Sequence, residues 1–447
     1  KYMFSTLLSN PMSMPRQSSA LNGATSDVYR EGDCADYFPK QWGETMDASD
    51  ATAFDLNAIG PSFIRNPYPT LAALREHDPV HFNPDGSVYL TRYADVQTVY
   101  RHPSMSSDKQ LAFGQKFGDG PLYTHHSTSL VFNDPPYHTT VRKLLSSAFT
   151  PRKLAEMEPL IENIVDGLLN RIDKAGPIDF VREFAMLLPT EIISFMLGIP
   201  EQYRMQLRGY SLAVLGALDP VVPEDRMGAG NDAVTEFGAL LSDLIDHRRN
   251  NPEGAGQGEV LEALIFGDFE GRRLTQQELI QNCIFLLNAG HETTTSLVAN
   301  AVGIFLDHPD AHMQLVNNPE LIDTAIEEIL RFESPLQIGN RQATEDITLS
   351  GIPIPAGTYI HTSIAAANRD PEIFYNSGEV DFARSPNRHL AFITGIHVCL
   401  GATLARFEGR IAIGKLVDRF PRLRAVGESE RMPLARFRGW NRLMVEV

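Results

Sequence analysis

Apolar positions follow a helical rhythm over most of the chain and alternate over only a few short stretches. The pattern becomes globular near Asp55. Pro67-Tyr68-Pro69 opens a short helix over 71–77. Val80–Phe82 and 87–91 read as strands, joined by the turn Asn83-Pro84-Asp85-Gly86. From 180 to about 331 the chain is predicted to be mostly helical. Short strands are expected within 347–354 and at Tyr359–Ser363, and a last helix over 400–420. Residues 1–55 are rich in Ser, Met, Asp, Gly and Ala without periodicity and read as a loosely ordered tail. Residues 56–447 read as one domain, mainly α with small β-sheets.

One segment is apolar nearly all round. Residues 274–307 read as a single helix with Ile280, Ile284, Leu286 and Leu287 on buried faces, and such a helix belongs in the middle of a large protein. Its centre carries Ala289-Gly290-His291-Glu292-Thr293-Thr294-Thr295. Glycine costs about 1 kcal/mol in a helix interior and threonine is a mediocre helix former. The best-buried helix is therefore weak at one spot, and local propensity that opposes the fold tends to mark function. Ala289 and Gly290 leave room against a flat ligand, while Glu292 and Thr293 offer a carboxylate and a hydroxyl for proton relay. The same residues also allow a break between two helices, with Thr293 or Thr294 as an N-cap.

Composition narrows the class. The 447 residues are 43% hydrophobic and 21% charged, enough for a large soluble core. A net charge of −17 disfavours nucleic acid and anionic membrane as partners. No apolar run reaches the roughly 18 residues of a membrane span, and the start of the chain, Lys1-Tyr2-Met3-Phe4, does not open a convincing signal peptide. Cys34, Cys283 and Cys399 make no disulfide framework, so a reducing, cytoplasmic setting is expected.

Cys399 carries the strongest chemical signal. It is framed by Phe392, Gly395, His397 and Gly401, and a helix pattern follows at once. A thiolate so held suits an iron: the metal displaces the proton, and the free N–H groups of the following helix favour the anion. Gly395 and Gly401 allow close backbone approach to the sulfur, Phe392 would shield it, and His397 could reach an anionic group of the ligand. Elsewhere, His138 and Arg142 stand four apart on a helix that starts near Tyr137, either an ordinary solvated surface pair or a cation pair suited to an anion. Glu328 and Arg331 stand three apart beside Ile329 and Leu330, so their pair reads as partly buried and structural, with Arg331 reaching toward 381–388. Arg341 precedes a strand, and a lone arginine there is usually exposed. His125-His126 reads as an exposed loop pair.

Taken in order, these segments, together with Asn368-Arg369-Asp370-Pro371 and the 382–388 region, resemble a cytochrome P-450, a heme-thiolate monooxygenase of the soluble bacterial type. The resemblance runs from about Asp55 to Val447. It implies a triangular helical prism with heme b between the long central helix and the cysteine loop. It implies Cys399 as the axial iron ligand; His138, Arg142, Arg341 and His397 as propionate partners; and Ala289, Gly290 and Phe392 against the cofactor. Glu292 and Thr293 match the acid–alcohol pair that delivers protons to dioxygen, the co-substrate. Glu328 and Arg331 match a buried structural pair. Ala289, Leu336, Gln337, Gly339 and Trp440, with the loop 106–127, match substrate-contacting positions, and 203–230 a mobile lid. Ile393 departs from the glycine usual after the loop phenylalanine.

The implied reaction inserts one oxygen atom of dioxygen into a hydrophobic small molecule. No glycine-rich dinucleotide pattern appears, so NAD(P)H acts only indirectly, through a reductase and a ferredoxin-type redox partner steered by a positive patch at Arg142, Lys143, Arg152, Lys153, Arg406 and Arg410. The alternatives are a peroxide-driven peroxygenase, against which Glu292-Thr293 argues, and a non-catalytic heme sensor.

Overall fold

A computed structural model describes residues 47–447 apart from 148, 174–175, 221, 223 and 252–257. Of the expected tail, residues 1–46 lie outside the described residues. Ala48–Thr52 form a helix capped by Asp47, and Leu56, buried completely, opens a 3-10 turn.

The architecture is mainly helical. Its axis is the helix Gln276–Asp307, which runs unbroken through the weak segment, so Thr293 and Thr294 are interior residues and not caps. The true cap is Thr275, whose hydroxyl accepts from the Glu278 N–H while the Glu278 carboxylate accepts from the Thr275 N–H. This reciprocal box stabilises the first turn by about 1 kcal/mol. Tertiary burial does the rest: from Leu279 to Phe305 almost every residue is buried, among Leu187–Leu197, Glu201–Gly216, Glu224–Asn250 and Ala402–Arg419. At the crossing with Ala402–Arg419, a Cβ on Gly409 would sit 3.2 Å from Leu297, which is why the two helices approach closely there.

The main sheet has five strands in the order Val80–Phe82, Val88–Leu90, Tyr359–Ser363, Ile338–Ala343 and Met105–Ser106. The hairpin at Asn83–Gly86 and both of its strands form as predicted, with Val80 opposite Leu90. Val88–Leu90 runs parallel to Tyr359–Ser363, which pairs antiparallel with Ile338–Ala343 so that Asn340 opposes His361 and Arg341 opposes Ile360. Arg341 thus lies inside a strand, not ahead of one. The sequence misses this strand because Gly339, Asn340 and Gln342 break its apolar alternation. Residues 347–354 form a hairpin of their own.

The segment 106–127, expected as a loop, is largely helical, with Gln110–Phe117 and Pro121–Thr128 inside it. The stretch matched to a lid falls, as the helical pattern over 180–331 predicts, on Glu201–Gly216 and the start of Glu224–Asn250. Among the described residues no single helix is long and apolar enough to cross a membrane.

Candidate active site

The cysteine loop is held by its own backbone. The Cys399 N–H donates to the Phe392 carbonyl at 3.0 Å, and Gly395–His397 makes a 3-10 turn closed by Val398 N–H to the Gly395 carbonyl. Gly395 has φ +78, and a Cβ there would stand 2.2 Å from the Tyr100 carbonyl oxygen, so no side chain fits. The close approach is to Tyr100, not to the sulfur. Gly401 has an ordinary φ of −87, and a Cβ there would meet nothing within 4 Å, so its part is to offer an N–H to the sulfur. Phe392 lies beneath the Arg406 guanidinium, 4.6 Å from ring centre to carbon. Ile393 takes a left-handed turn with φ +51, which is strained for a β-branched residue.

Cys399 is surface-accessible and yet hemmed in by protein. Burial pushes its thiol up, while the Gly401 N–H, Arg142 and Arg406 pull it down. Metal ligation would complete the ionisation that these groups begin.

Beside the loop lies a set of cationic and imidazole groups in need of an anion. The rings of His138 and His397 meet with centroids 4.1 Å apart. Both ring nitrogens of His138, Nε2 of His397 and Nη2 of Arg341 are buried without a partner. Burial and the neighbouring Arg142 hold His138 down to about 4, and burial and Arg341 hold His397 down to about 2. Arg142 donates to the Val398 carbonyl at 2.7 Å and so ties the cysteine loop to the helix Tyr137–Ser146. Lys109 joins the set, buried, with its ammonium 3.3 Å from the Ser106 carbonyl and burial pushing it to about 7. No sequence signal distinguishes Lys109 in its Ser-Ser-Asp-Lys-Gln context. Orphaned, mutually repelling donors of this kind fit the two carboxylates of a heme.

On the central helix the successive residues diverge. Ala289 is exposed although the helix around it is buried, so it faces open space. A Cβ on Gly290 would meet the Ile193 side chain at 3.6 Å; Gly290 packs toward Leu187–Leu197 and not toward the space at Ala289. The Thr293 hydroxyl donates to the Ala289 carbonyl at 2.6 Å. Glu292 is 1% exposed, and neither of its carboxylate oxygens accepts a hydrogen bond. Its nearest charge is Arg208, 3.9 Å away on Glu201–Gly216, with His291 Nδ1 at 3.6 Å. His291 is held in turn by Thr190, 2.8 Å from its Nε2. Arg208 was not legible as a site residue, because a lone arginine on a helix usually marks a solvated face.

The expected substrate positions separate. Leu336 packs with Leu212, Leu215, Leu218, Met432, Leu434 and Phe437, an apolar cluster joining Glu201–Gly216 to the C-terminal segment. Gln337 is buried: its Nε2 donates to the Ser334 carbonyl at 2.6 Å, and it lines a void of only 10 Å³ among Phe63, Tyr89 and Leu434. Gly339 lies against Tyr100, whose hydroxyl would overlap any Cβ. Trp440 stacks on Arg431 at 3.7 Å and closes on Gly303. Gly303 is ten residues beyond Thr293, about 15 Å along the axis, which sets the Trp440 contact well along the helix from the Thr293 segment. His125 and His126 are buried in a helix: His125 Nδ1 meets Gln281 at 3.0 Å, and His126 sits among Phe113, Phe117 and Phe132.

Glu328 and Arg331 are buried and paired. Glu328, not Arg331, reaches the 381–388 loop, accepting from the Asp381 N–H, Arg384 and Asn387, while Arg331 caps the carbonyls of Asn368, Ser377 and Glu379. Much of the expected positive patch is neutralised. Arg406 grips Glu327, Arg410 pairs with Glu158 and Arg152 with Glu156, while Ile396 and Val398 of the cysteine loop are exposed.

A free cysteine in a tight loop, a carboxylate and a hydroxyl in a buried helix and an anion cradle are what a heme-thiolate enzyme requires. The comparisons agree. The cytochrome P450 family model matches residues 79–436. A vitamin D(3) 25-hydroxylase of Pseudonocardia autotrophica is 40% identical over 83% of this chain and 90% of its own length. The cytochrome P450 monooxygenase PikC of Streptomyces venezuelae is 37% identical over 83% and 87%. The crystal structure of P450BioI in complex with a hexadec-9Z-enoic acid-ligated acyl carrier protein superposes with a TM-score of 0.81 at 34% identity, covering 86% of this chain and 99% of that one. The chain belongs to the cytochrome P450 family. It is a heme b-dependent monooxygenase acting on a hydrophobic small molecule, with dioxygen as co-substrate and NAD(P)H-derived electrons arriving through redox partners.

Proposed function

We propose that Cys399 would ligate the heme iron as a thiolate, that His138, Arg142, Arg341 and His397 would hold the heme propionates with Lys109 behind them, and that Glu292 and Thr293 supply protons during turnover. Bound heme supplies the activation of dioxygen. The chain's own part is positioning and proton supply. Glu292, buried with free oxygens, exchanges protons with solvent by turning away from Arg208. Thr293, on releasing the Ala289 carbonyl, would present its hydroxyl proton to the open space at Ala289. The apolar cluster at Leu336 and Phe437 excludes water from the substrate. The observation that carries this reading is the group of buried, partnerless nitrogens on His138, His397 and Arg341 beside the cysteine loop.

Electrons are expected from an iron–sulfur ferredoxin and its reductase. Because Arg406 and Arg410 hold carboxylates of their own, docking centres on exposed Ile396 and Val398, with Lys143 and Lys153 at the rim. A cytoplasmic setting follows from the reduced thiol that this chemistry needs. The decisive experiment is the carbon monoxide difference spectrum of the reduced protein. The red-shifted band of a thiolate adduct is expected in the parent and absent from Cys399→His. A parent lacking that band would overturn the assignment.

A further inference from the structure

A second cavity, of about 380 Å³, opens over one face of the main sheet. It lies between the Asp85–Ser87 turn, the helix Gln110–Phe117, the segment after Glu201–Gly216 and the strands bearing Asn340 and His361. Asn340 and His361 are cross-strand partners and share one face of the sheet. The next pair along, Arg341 and Ile360, points to the other face. The cavity therefore lies on the face of the sheet opposite to Arg341, and its wall residue Tyr359 borders the anion cradle, with the Lys109 ammonium 4.9 Å from its ring.

Its lining is polar and holds unused donors. Lys116 is accessible by area and yet surrounded by protein, as a group facing a pocket should be; burial and Arg436 push its ammonium down to about 8. It makes one hydrogen bond, 2.9 Å to the Asp219 backbone carbonyl. Arg436 is 8% exposed; Nε and Nη1 are taken by the Leu218 and Ile338 carbonyls, and Nη2 has no partner among the described residues. His361 is also 8% exposed, with Nδ1 unpartnered. The two carboxylates on the wall are already satisfied. Asp219 accepts the Ala435 and Arg436 N–H groups, and Asp85 accepts from Asn57 and Ser87. What remains is a set of donors from a lysine, an arginine and an imidazole, with apolar Phe113, Ala112 and Leu218 alongside.

We propose that this cavity is a binding site for a carboxylate on the end of the hydrophobic substrate, held by Lys116 and Arg436. The idea deepens the monooxygenase reading and rests on it. A carboxylate accepts from both cations, as a paired buried charge must. Phe113 and Leu218 receive the first carbons of an apolar chain. A cationic end group would meet Lys116 and Arg436 as like charges.

Calorimetric titration of the heme-loaded protein with decanoate, decan-1-ol and decyltrimethylammonium tests this. Decanoate is expected to bind about tenfold more tightly than either of the others, the value of one charge-assisted hydrogen bond. Lys116→Gln should bring the three to within about threefold, and Lys116→Arg should restore the preference. Ala112→Asp, one helical turn from Lys116, should occupy the lysine and abolish the preference without deleting any bond in the structure. Equal binding of the three probes by the parent, no binding of any, or a preference unmoved by both Lys116→Gln and Ala112→Asp would overturn the proposal. The carbon monoxide band is read on the same samples. A protein with the band and no preference loses only this site; one with the preference and no band loses the thiolate assignment instead.

Discussion

Arg331 donates to Glu328 through two parallel bonds, Nε to Oε2 and Nη2 to Oε1, each 2.8 Å, with both side chains essentially inaccessible. The remaining guanidinium bonds end on backbone carbonyls of Asn368, Ser377 and Glu379, and Glu328 in turn gathers Arg384, Asn387 and the Asp381 N–H. This network joins the helix Ile322–Phe332 to the irregular chain that leads into the cysteine loop. A buried pair is not a large net stabiliser, but removing one member strands the other. Glu328→Gln is expected to lower stability by about 3–5 kcal/mol and to reduce heme retention. Chemical denaturation followed by tryptophan fluorescence and by Soret absorbance measures both; a loss below about 1 kcal/mol would show the network to be dispensable.

Local signals were legible where they repeat at short range. The hairpin at Asn83–Gly86, the central helix and the helix after Cys399 follow from apolar period and turn residues. The pair Glu328–Arg331 was legible because three-residue spacing sets two side chains on one helical face. Contacts made across the chain were not. Arg208 beside Glu292, and Lys109 among the propionate candidates, depend on helices that meet only in three dimensions. Trp440 and Gln337 look like pocket residues by position, yet packing on Gly303 and a bond to Ser334 turn them elsewhere.

Ile393 makes a backbone test possible. Its φ of +51 suits glycine, and a β-branched residue there is strained by about 1–2 kcal/mol. Its side chain also packs against the sheet core, so replacing it by glycine alone would mix two effects. Ile393→Ala and Ile393→Gly both remove that packing and differ in the backbone. The glycine variant is expected to be more stable than the alanine one by about 1 kcal/mol, the reverse of the usual order. Thermal melts of the two heme-loaded proteins decide it; an alanine variant equal or superior to the glycine one would mean the loop relaxes away from the left-handed region.

Thr293→Ala removes the hydroxyl that donates to the Ala289 carbonyl and leaves the helix backbone intact. Substrate binding should be unchanged, while product formed per NAD(P)H consumed falls and hydrogen peroxide rises, by about tenfold or more in product yield if the hydroxyl carries proton delivery. Thr293→Ser should recover most of the coupling. Peroxide and product quantified in the same reaction give the answer, and full coupling in Thr293→Ala would remove Thr293 from the proton path.

Glu408 adds a pH dependence that the proposed chemistry does not require. It lies on Ala402–Arg419 with Oε2 buried and unpartnered, and burial pushes its carboxyl up to about 8 despite a hydrogen bond from Thr294 on the central helix. The unfolded chain returns it to the ordinary value of 4.5. Between these limits the folded protein binds one proton more than the unfolded chain, so this group's contribution is fully present below about pH 4.5 and is lost as pH rises toward 8. The slope is at most about 1.4 kcal/mol per pH unit. Glu408→Gln keeps the shape and cannot ionise, so its stability relative to the parent should climb steadily from pH 5 to pH 8. Denaturant melts at half-unit intervals across that range measure the difference. Parallel curves for the two proteins would mean that Glu408 is already ionised in the fold, with a partner the static geometry does not provide.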